Sequence, residues 1–357
     1  MNITFLIGNG FDLNLGLNTR YVNFIEEYIS QNTLDLEPIK EFKNDLKSDK
    51  EKFNLWSNAE IAMGQYSTKV AERYQQNAAE VYCDLHDDFC EKLAVYLQKE
   101  QDKIDPQKIE EEFRKSFINI FNGFTGELTA KLKQLIYAPK GDEYNLIIFN
   151  YTTIIDAMLK ENRRIASRGL KYPSGRMEMF WDKINDIIHV HGTTTDAMVL
   201  GVNDISQIGE PSIFDDKYDE MKNTFLKKEF NEMAEEGTFD KSLALLNKSD
   251  LIYIYGMSLG ATDKIWWQQI YRLLKEKHNL HVIIQMMDVP NSRLNRRKFL
   301  TFERKQKMAL LSYSLENDKL LEEDIDLLDR IHVTSYNIFE NIKDTILTNS
   351  SVISNAS

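Results

Sequence analysis

A chain of 357 residues, 42% of them hydrophobic, is long enough for about two compact units around buried cores. Its formal net charge of −12 argues against broad binding to nucleic acid or an anionic membrane, which needs a positive surface, and leaves a small ligand or a protein as the expected partner. No apolar run approaches the roughly 18 residues of a membrane span, and Met1 leads into a strand-like segment without a secretory signal, so the expectation is a cytoplasmic protein with no membrane partner.

The first strand is expected at Ile3–Ile7. Gly8-Asn9-Gly10-Phe11-Asp12 follows it, and glycines at such a turn let the backbone approach a phosphate or sugar while the next amides point at it. The third glycine of the usual dinucleotide fingerprint is missing, since position 13 is Leu and Gly16 comes later, so a plain strand-to-helix turn remains an equal reading. Asp12 would repel a diphosphate. It is therefore read either as a cap on the following helix or as a group facing a ribose or a developing cation.

More than a hundred residues of helical periodicity come next, with stripes at Tyr82, Leu85, Phe89 and Leu93 and at Ile109, Phe113, Phe117, Ile120 and Phe124. The two stripes are expected to pack on each other as a helical insertion over residues 20–139. Cys83 and Cys90, the only cysteines, share one helix and read as reduced thiols. With His86 between them they fall short of a closed metal set, and no metal is expected. Pro139-Lys140-Gly141 marks the return to the sheet.

Further strands are expected at Leu146–Phe149, Asp186–His191, Ala197–Leu200, Leu251–Tyr255, His281–Met286 and Ile331–Tyr336. Their continuous apolar runs fit parallel strands covered on both faces. Asn150 and Tyr151 stand at the end of the second strand, where a buried amide must find partners. His189 and His191 alternate, so both are expected on one face. Without an acidic or cysteine partner in register, His191 reads as a general base or ribose contact with His189 in support. Gly192 then releases the chain.

Gly201-Val202-Asn203-Asp204 and Gly256-Met257-Ser258-Leu259-Gly260 repeat the strand and glycine-turn device, the latter leading through Asp263 to Trp266 and Trp267. Those tryptophans and Trp56 read as core first and as an adenine or nicotinamide wall second. Arg293, Arg296, Arg297, Lys298, Arg304, Lys305 and Lys307, with Phe299 and Phe302 interleaved, read as a solvated helix face. A nucleic-acid enzyme is the least favoured of the functions weighed.

Ligands of an open α/β sheet bind outside the carboxyl ends of its strands, so the motifs at Gly10, Asn150, His191 and Ser258 are expected to line one cavity. The fold expected is α/β: a doubly wound, mainly parallel, Rossmann-like sheet from residues 1–19 and 140–345, with the helical insertion after the first strand. Residues 346–357 are small and polar and are expected to be disordered.

The order Gly8-Asn9-Gly10-Phe11-Asp12, Gly16-Leu17-Asn18-Thr19, Tyr21, Asn150-Tyr151, His191-Gly192 and Gly256-Met257-Ser258 resembles the AbiH family of phage abortive-infection proteins, as do Trp56 and Glu60. The resemblance runs from residue 3 to about residue 270. More distantly, the series resembles the SIR2 superfamily of NAD-binding proteins, without its four-cysteine zinc module and with Asp12 where those proteins carry a small hydroxyl residue. The SIR2 likeness implies that Gly8 and Gly10 hold the diphosphate, Asn150 orients water or ribose, His191 acts as base and Ser258 contacts the adenosine half. Asn9, Phe11, Thr19, Tyr151, His189, Gly192, Gly256 and Asp263 complete the implied NAD or NADP site. Together the two imply a defence effector, triggered by a phage-derived protein and able to form a homo-oligomer, that hydrolyses NAD(P) with Asp12 or Glu60 facing the ribose cation. A nucleotide or phage-component sensor without chemistry is the alternative.

Overall fold

The computed structural model describes residues 1–31, 36–48, 56–136, 141–171, 173–196, 198–214, 225–227, 237–287, 289–290, 294–315 and 324–346. Seven strands form one sheet: β1 (Asn2–Ile7), β2 (Glu143–Ile148), β3 (Arg164–Lys171), β4 (Met177–His189), β5 (Leu251–Tyr255), β6 (His281–Gln285) and β7 (Ile331–Thr334). Their order is β3-β4-β2-β1-β5-β6-β7, and every pairing is parallel except β3 with β4. From the central β1 the chain steps outward first to one side and later to the other. That reversal opens a crevice at the carboxyl ends of β1, β2 and β5.

The described helices are α1 (Gly10–Asn14), α2 (Tyr21–Ser30), α3 (Glu37–Ser48), α4 (Trp56–Tyr74), α5 (Ala78–Gln101), α6 (Pro106–Ser116), α7 (Gly126–Ile136), α8 (Ile154–Leu159), α9 (Thr238–Lys248), α10 (Lys264–Glu276), α11 (Arg296–Ser312) and α12 (Ile325–Leu328). Successive strand residues alternate between two buried layers, as the pleat requires. Phe5, Ile7, Leu146, Ile148, Tyr253 and Tyr255 pack with α1, α6 and α8. Leu6, Ile147, Ile252, Ile254, Val282 and Ile284 pack with α10 and α11. Both faces are thus covered, which is why these strands read as unbroken apolar runs.

A third cluster joins α2, α3, α4 and α5 around Phe24, Tyr28, Phe42 and Phe89 and reaches the sheet through Tyr151, Leu200 and Val202. The two aromatic stripes therefore part company. Tyr82, Leu85, Phe89 and Leu93 pack among the helices, whereas Ile109, Phe113, Phe117 and Ile120 pack on the sheet, Phe117 edge-on to Phe5 at 5.1 Å. The break falls at Asp105, whose carboxylate accepts from Gln107 N at 3.2 Å and caps α6 with Pro106 in its first turn.

Two strand expectations are corrected. Residues 198–200 are irregular, and nearby Val202 makes a single bridge to Leu226; Ala197 lies outside the described residues. The run at residues 186–189 is the tail of a 13-residue β4 that pairs with β3 as a hairpin. Most of that hairpin is exposed on one side and so carries little apolar signal. Pro139, Lys140, Arg293 and the tail from residue 347 also lie outside the described residues. The described part of the basic run forms α11, with Arg296, Arg297, Lys298, Arg304 and Lys305 exposed. No helix among the described residues is long and apolar enough to cross a membrane.

The turns after β1 and β5 touch backbone to backbone. Gly8 N donates to Tyr255 O (2.9 Å) and Gly10 N to Gly256 O (2.8 Å). A Cβ on Gly10 would stand 2.3 Å from Gly256 Cα, and Gly256 itself holds φ +63°. Gly10→Ala and Gly256→Ala are expected to lower the unfolding free energy by about 1–3 kcal/mol or more, the range for overpacking a filled site. Gly126→Ala, at an open helix start, should be neutral or slightly stabilising; denaturant titration of the three variants checks the contrast.

Candidate active site

A cavity of about 420 Å³ lies at the carboxyl ends of β1, β2, β4, β5 and β6. Its wall brings together Gly8, Asn9, Gly10, Asp12, Asn150, Tyr151, His191, Gly256, Ser258 and Asp263 from the sequence reading. Leu13, Arg20, Tyr21, Leu97, Phe149, Met257, Gln285, Met286 and Met287 complete it. The volume is in the range of sites that enclose small organic ligands, about 300–1,000 Å³.

Asp12 is almost fully buried. Thr152 Oγ1 lies 3.0 Å from each of its carboxylate oxygens. Burial pushes its pKa up to about 7, against smaller opposing pulls from Thr152, Asn150 and His189. It makes no cap: α1 has Asn9 at its N-cap position and no side-chain cap bond. The capping alternative is thereby set aside, and Asp12 stands in the cavity wall with its pKa raised by burial. Beside it, Asn150 is buried, and among the described residues neither amide atom has a partner in good hydrogen-bond geometry, although the amide lies close enough to Asp12 to lower its pKa. An orphaned amide at a cavity wall is a ready ligand or water contact.

His191 and His189 do not share a face. β4 ends at His189, whose ring spans the Asp156 carboxylate (2.8 Å) and the Asn150 main-chain carbonyl (3.2 Å), outside the cavity wall. His191 follows a turn; its ring lies edge-on to Phe149, and its Nε2 stands 3.6 Å from Asp263 Oδ1. Burial, assisted by the Lys227 ammonium, holds His191 well below the usual histidine range. The ring is neutral at neutral pH, and its Nδ1 has no hydrogen-bond partner among the described residues.

Behind Asp263 lies a buried charge cluster that sequence reasoning missed. Lys227 Nζ is 2.9 Å from Glu60 Oε2 and 3.5 Å from Asp263 Oδ1. Burial disfavours the Lys227 charge, yet the Asp263 and Glu60 carboxylates more than offset this and hold its pKa above the ordinary value. Burial raises Glu60. Glu60 is not among the residues of the cavity wall; Lys227 links it to Asp263, and its charge bears on Tyr21 and Tyr151 of the wall. No periodicity or motif marks Lys227, which arrives from the short segment 225–227 paired to Val202.

Several expected contacts are structural instead. Phe11 is core, edge-on to Phe113 and Phe339. Thr19 donates to Asn9 Oδ1 (2.6 Å) and accepts on its carbonyl from Asn9 Nδ2 (3.0 Å), which fixes the loop rather than a ligand. Gly192 makes the turn after β4 with φ +70°. Asn203 donates to Ala261 O, and Asp204 caps the short turn Ile205–Gln207. Trp266 and Trp267 are core, the latter donating to Gly260 O at 2.9 Å.

The glycine loop also departs from expectation. With the amides of Gly8, Gly10 and Phe11 bonded to backbone carbonyls, they have no free N–H for a phosphate. Among the described residues, the N–H groups of Met257 and Ser258 donate to no acceptor, and Arg20 has no carboxylate partner. The donors this cavity could offer an anion are therefore those of the β5 turn and Arg20, together with the Asn9 N–H, which likewise donates to no acceptor among the described residues.

The model of one family, bacteriophage abortive infection AbiH, matches residues 4–284. The chain belongs to the AbiH family. No curated protein matches it. The matched span of this AbiH chain runs from β1 into β6 and so contains every residue of the cavity wall except Gln285, Met286 and Met287. Among the described residues of the AbiH chain, no group of three His, Cys, Asp or Glu side chains could hold a metal ion.

The raised Asp12 pKa has a sign that can be measured. Between about pH 4 and 7 the folded protein keeps a proton on Asp12 that the unfolded chain has lost, so stability on this account falls as pH rises through that window. Asp12→Asn mimics the protonated form and should flatten the decline. At pH 8 it should be as stable as the parent or more so, since every tenfold difference in proton affinity between the folded and unfolded chain is worth about 1.4 kcal/mol; urea titrations at pH 5 and 8 decide it.

Proposed function

We propose that this AbiH protein is a phage-defence effector whose cavity takes NAD or NADP and breaks the nicotinamide–ribose bond. The observation that carries the reading is a carboxyl group with a pKa of about 7 set in the wall of a nucleotide-sized cavity, beside an amide with neither polar atom in good hydrogen-bond geometry among the described residues. In this reading the bond from ribose C1′ to the nicotinamide nitrogen breaks, and its electron pair cancels the ring's positive charge. Positive charge gathers on the ribose, where ionised Asp12 stabilises it more than it stabilises the ground state. Water held by Asn150 adds to C1′, and its proton passes to Asp12. The products are nicotinamide, ADP-ribose or its phosphorylated form, and a proton.

Neutral His191 accepts from the ribose hydroxyls, while Arg20 and the amides of Met257 and Ser258 meet the diphosphate. The resemblance of the strand-end motifs to the SIR2 superfamily supports the same ligand. The effector stays silent until a trigger of phage origin appears. A second reading, a sensor that binds nucleotide without chemistry, draws on one observation: His191 is held neutral so far below the usual range that it serves as an acceptor better than as a base.

The purified protein is incubated with NAD or NADP, with and without phage lysate, and nicotinamide is measured. Release is expected, with kcat/KM rising through about pH 7 as Asp12 of the free protein ionises. Asp12→Asn should lower kcat by about 10²–10⁴-fold, the usual worth of a placed acid or base, and Arg20→Ala should raise KM with kcat little changed. Dinucleotide that shifts the melting temperature but is never consumed under any condition would establish the sensor instead.

A further inference from the structure

We propose that the β3–β4 hairpin is an arm that clasps a second copy of this chain. β4 pairs with β2 only from Lys183 onward, so residues 177–182 pair with β3 alone among the described residues. A two-stranded ribbon without further support is marginally stable in water, and its open edge invites another chain. This ribbon also presents an apolar row. Met177, Met179 and Trp181 alternate onto one face and are 63%, 51% and 44% exposed, with Lys171, Gly169 and Ser167 opposite them on β3. Gly169 leaves the two methionine side chains room to lie across it, their sulfurs within 4 Å of where its Cβ would be.

The other face of the ribbon is turned to its own molecule. Arg168 pairs with Asp142 and Asp182 there, and Phe180 is half-buried. Only the methionine face is left to cover, and a contiguous exposed apolar strip of this kind marks an interaction surface. Charge selects the occupant. From Arg163 to Lys183 the hairpin carries six basic side chains against two acidic ones, while the whole chain stands at −12. The rest of the molecule is therefore strongly acidic, and a second copy supplies the complementary surface. Arm against arm would oppose like charges, so the arm lies on its partner's body. A two-fold axis makes the exchange reciprocal. A nucleic acid fits less well: the row offers two methionines and a tryptophan ring already covered by Arg164 at 4.8 Å, in a chain whose net charge repels polyanions.

Light scattering on a sizing column reads the mass directly. The parent is expected at twice its 41.8 kDa, shifting toward the monomer as salt is raised. Met177→Glu/Met179→Glu is expected to be monomeric with an unchanged circular dichroism spectrum, because both side chains are mostly exposed in the single chain, and with an unfolding midpoint that does not rise with protein concentration as the parent's does. The proposal is overturned by a parent that remains at the single-chain mass at high micromolar concentration, whether or not it retards a single-stranded oligonucleotide. It is equally overturned by a correctly folded double variant that keeps the dimer mass.

Discussion

Everything at the carboxyl edge of the sheet depends on two glycines in contact. Gly10 and Gly256 place the turn after β1 against the turn after β5 with no side chain between them, and two hydrogen bonds, from Gly8 to Tyr255 and from Gly10 to Gly256, lock the crossing. The glycines thus serve the protein's own backbone before any ligand. With that contact in place, Asp12 on α1 meets Thr152, and the Met257–Ser258 turn lines the same cavity. A side chain at either position would push these two loops apart and widen the distance between the carboxylate and the open amides.

A second constraint ties the helical layer to the sheet. Glu60 on α4, Lys227 in the segment beside Val202, and Asp263 before α10 form a buried cluster of two carboxylates and one ammonium. Apolar side chains of the same volume would hold these elements together as well or better, since buried ion pairs repay their desolvation poorly. The cluster's distinctive effect is electrostatic. Lys227 helps keep His191 uncharged, while Asp263 stands within 3.6 Å of its ring. The helical layer therefore influences the cavity by charge as well as by walling it with Arg20, Tyr21 and Leu97.

What the sequence made legible follows from where the physical signal was strong. Five buried parallel strands read correctly because strands covered on both faces are apolar throughout, and the residues that follow them stood out as polar interruptions. Gly10, Asn150, His191 and Ser258 could accordingly be assigned to one cavity from topology alone. The β3–β4 hairpin was illegible because Arg164–Lys171 is mostly exposed and alternates weakly. Lys227 was illegible for a different reason: it gains its meaning from two carboxylates, at positions 60 and 263, that only tertiary structure brings to it. The aromatic stripes were visible, but periodicity reveals that a helix has a buried face without revealing what covers it, so α5 and α6 were wrongly paired with each other. His189 and His191 show the same limit at smaller scale, since alternation holds only while the strand lasts.

The contrast between Asp12 and Asp156 shows why the cavity, rather than the count of acidic residues, directs attention to one group. Asp156 is partly exposed and sits against His189, an arrangement that orients the loop carrying Asn150. Asp12 forms no ion pair among the described residues; Thr152 and Asn150 lie against it, and burial raises its pKa to about 7. A group so poised gains a full charge when a cation develops beside it and can release or take a proton without a large penalty. On the proposed reading the apolar surroundings that make Asp12 expensive to ionise in the resting protein are what make its ionisation responsive to charge on a bound ribose.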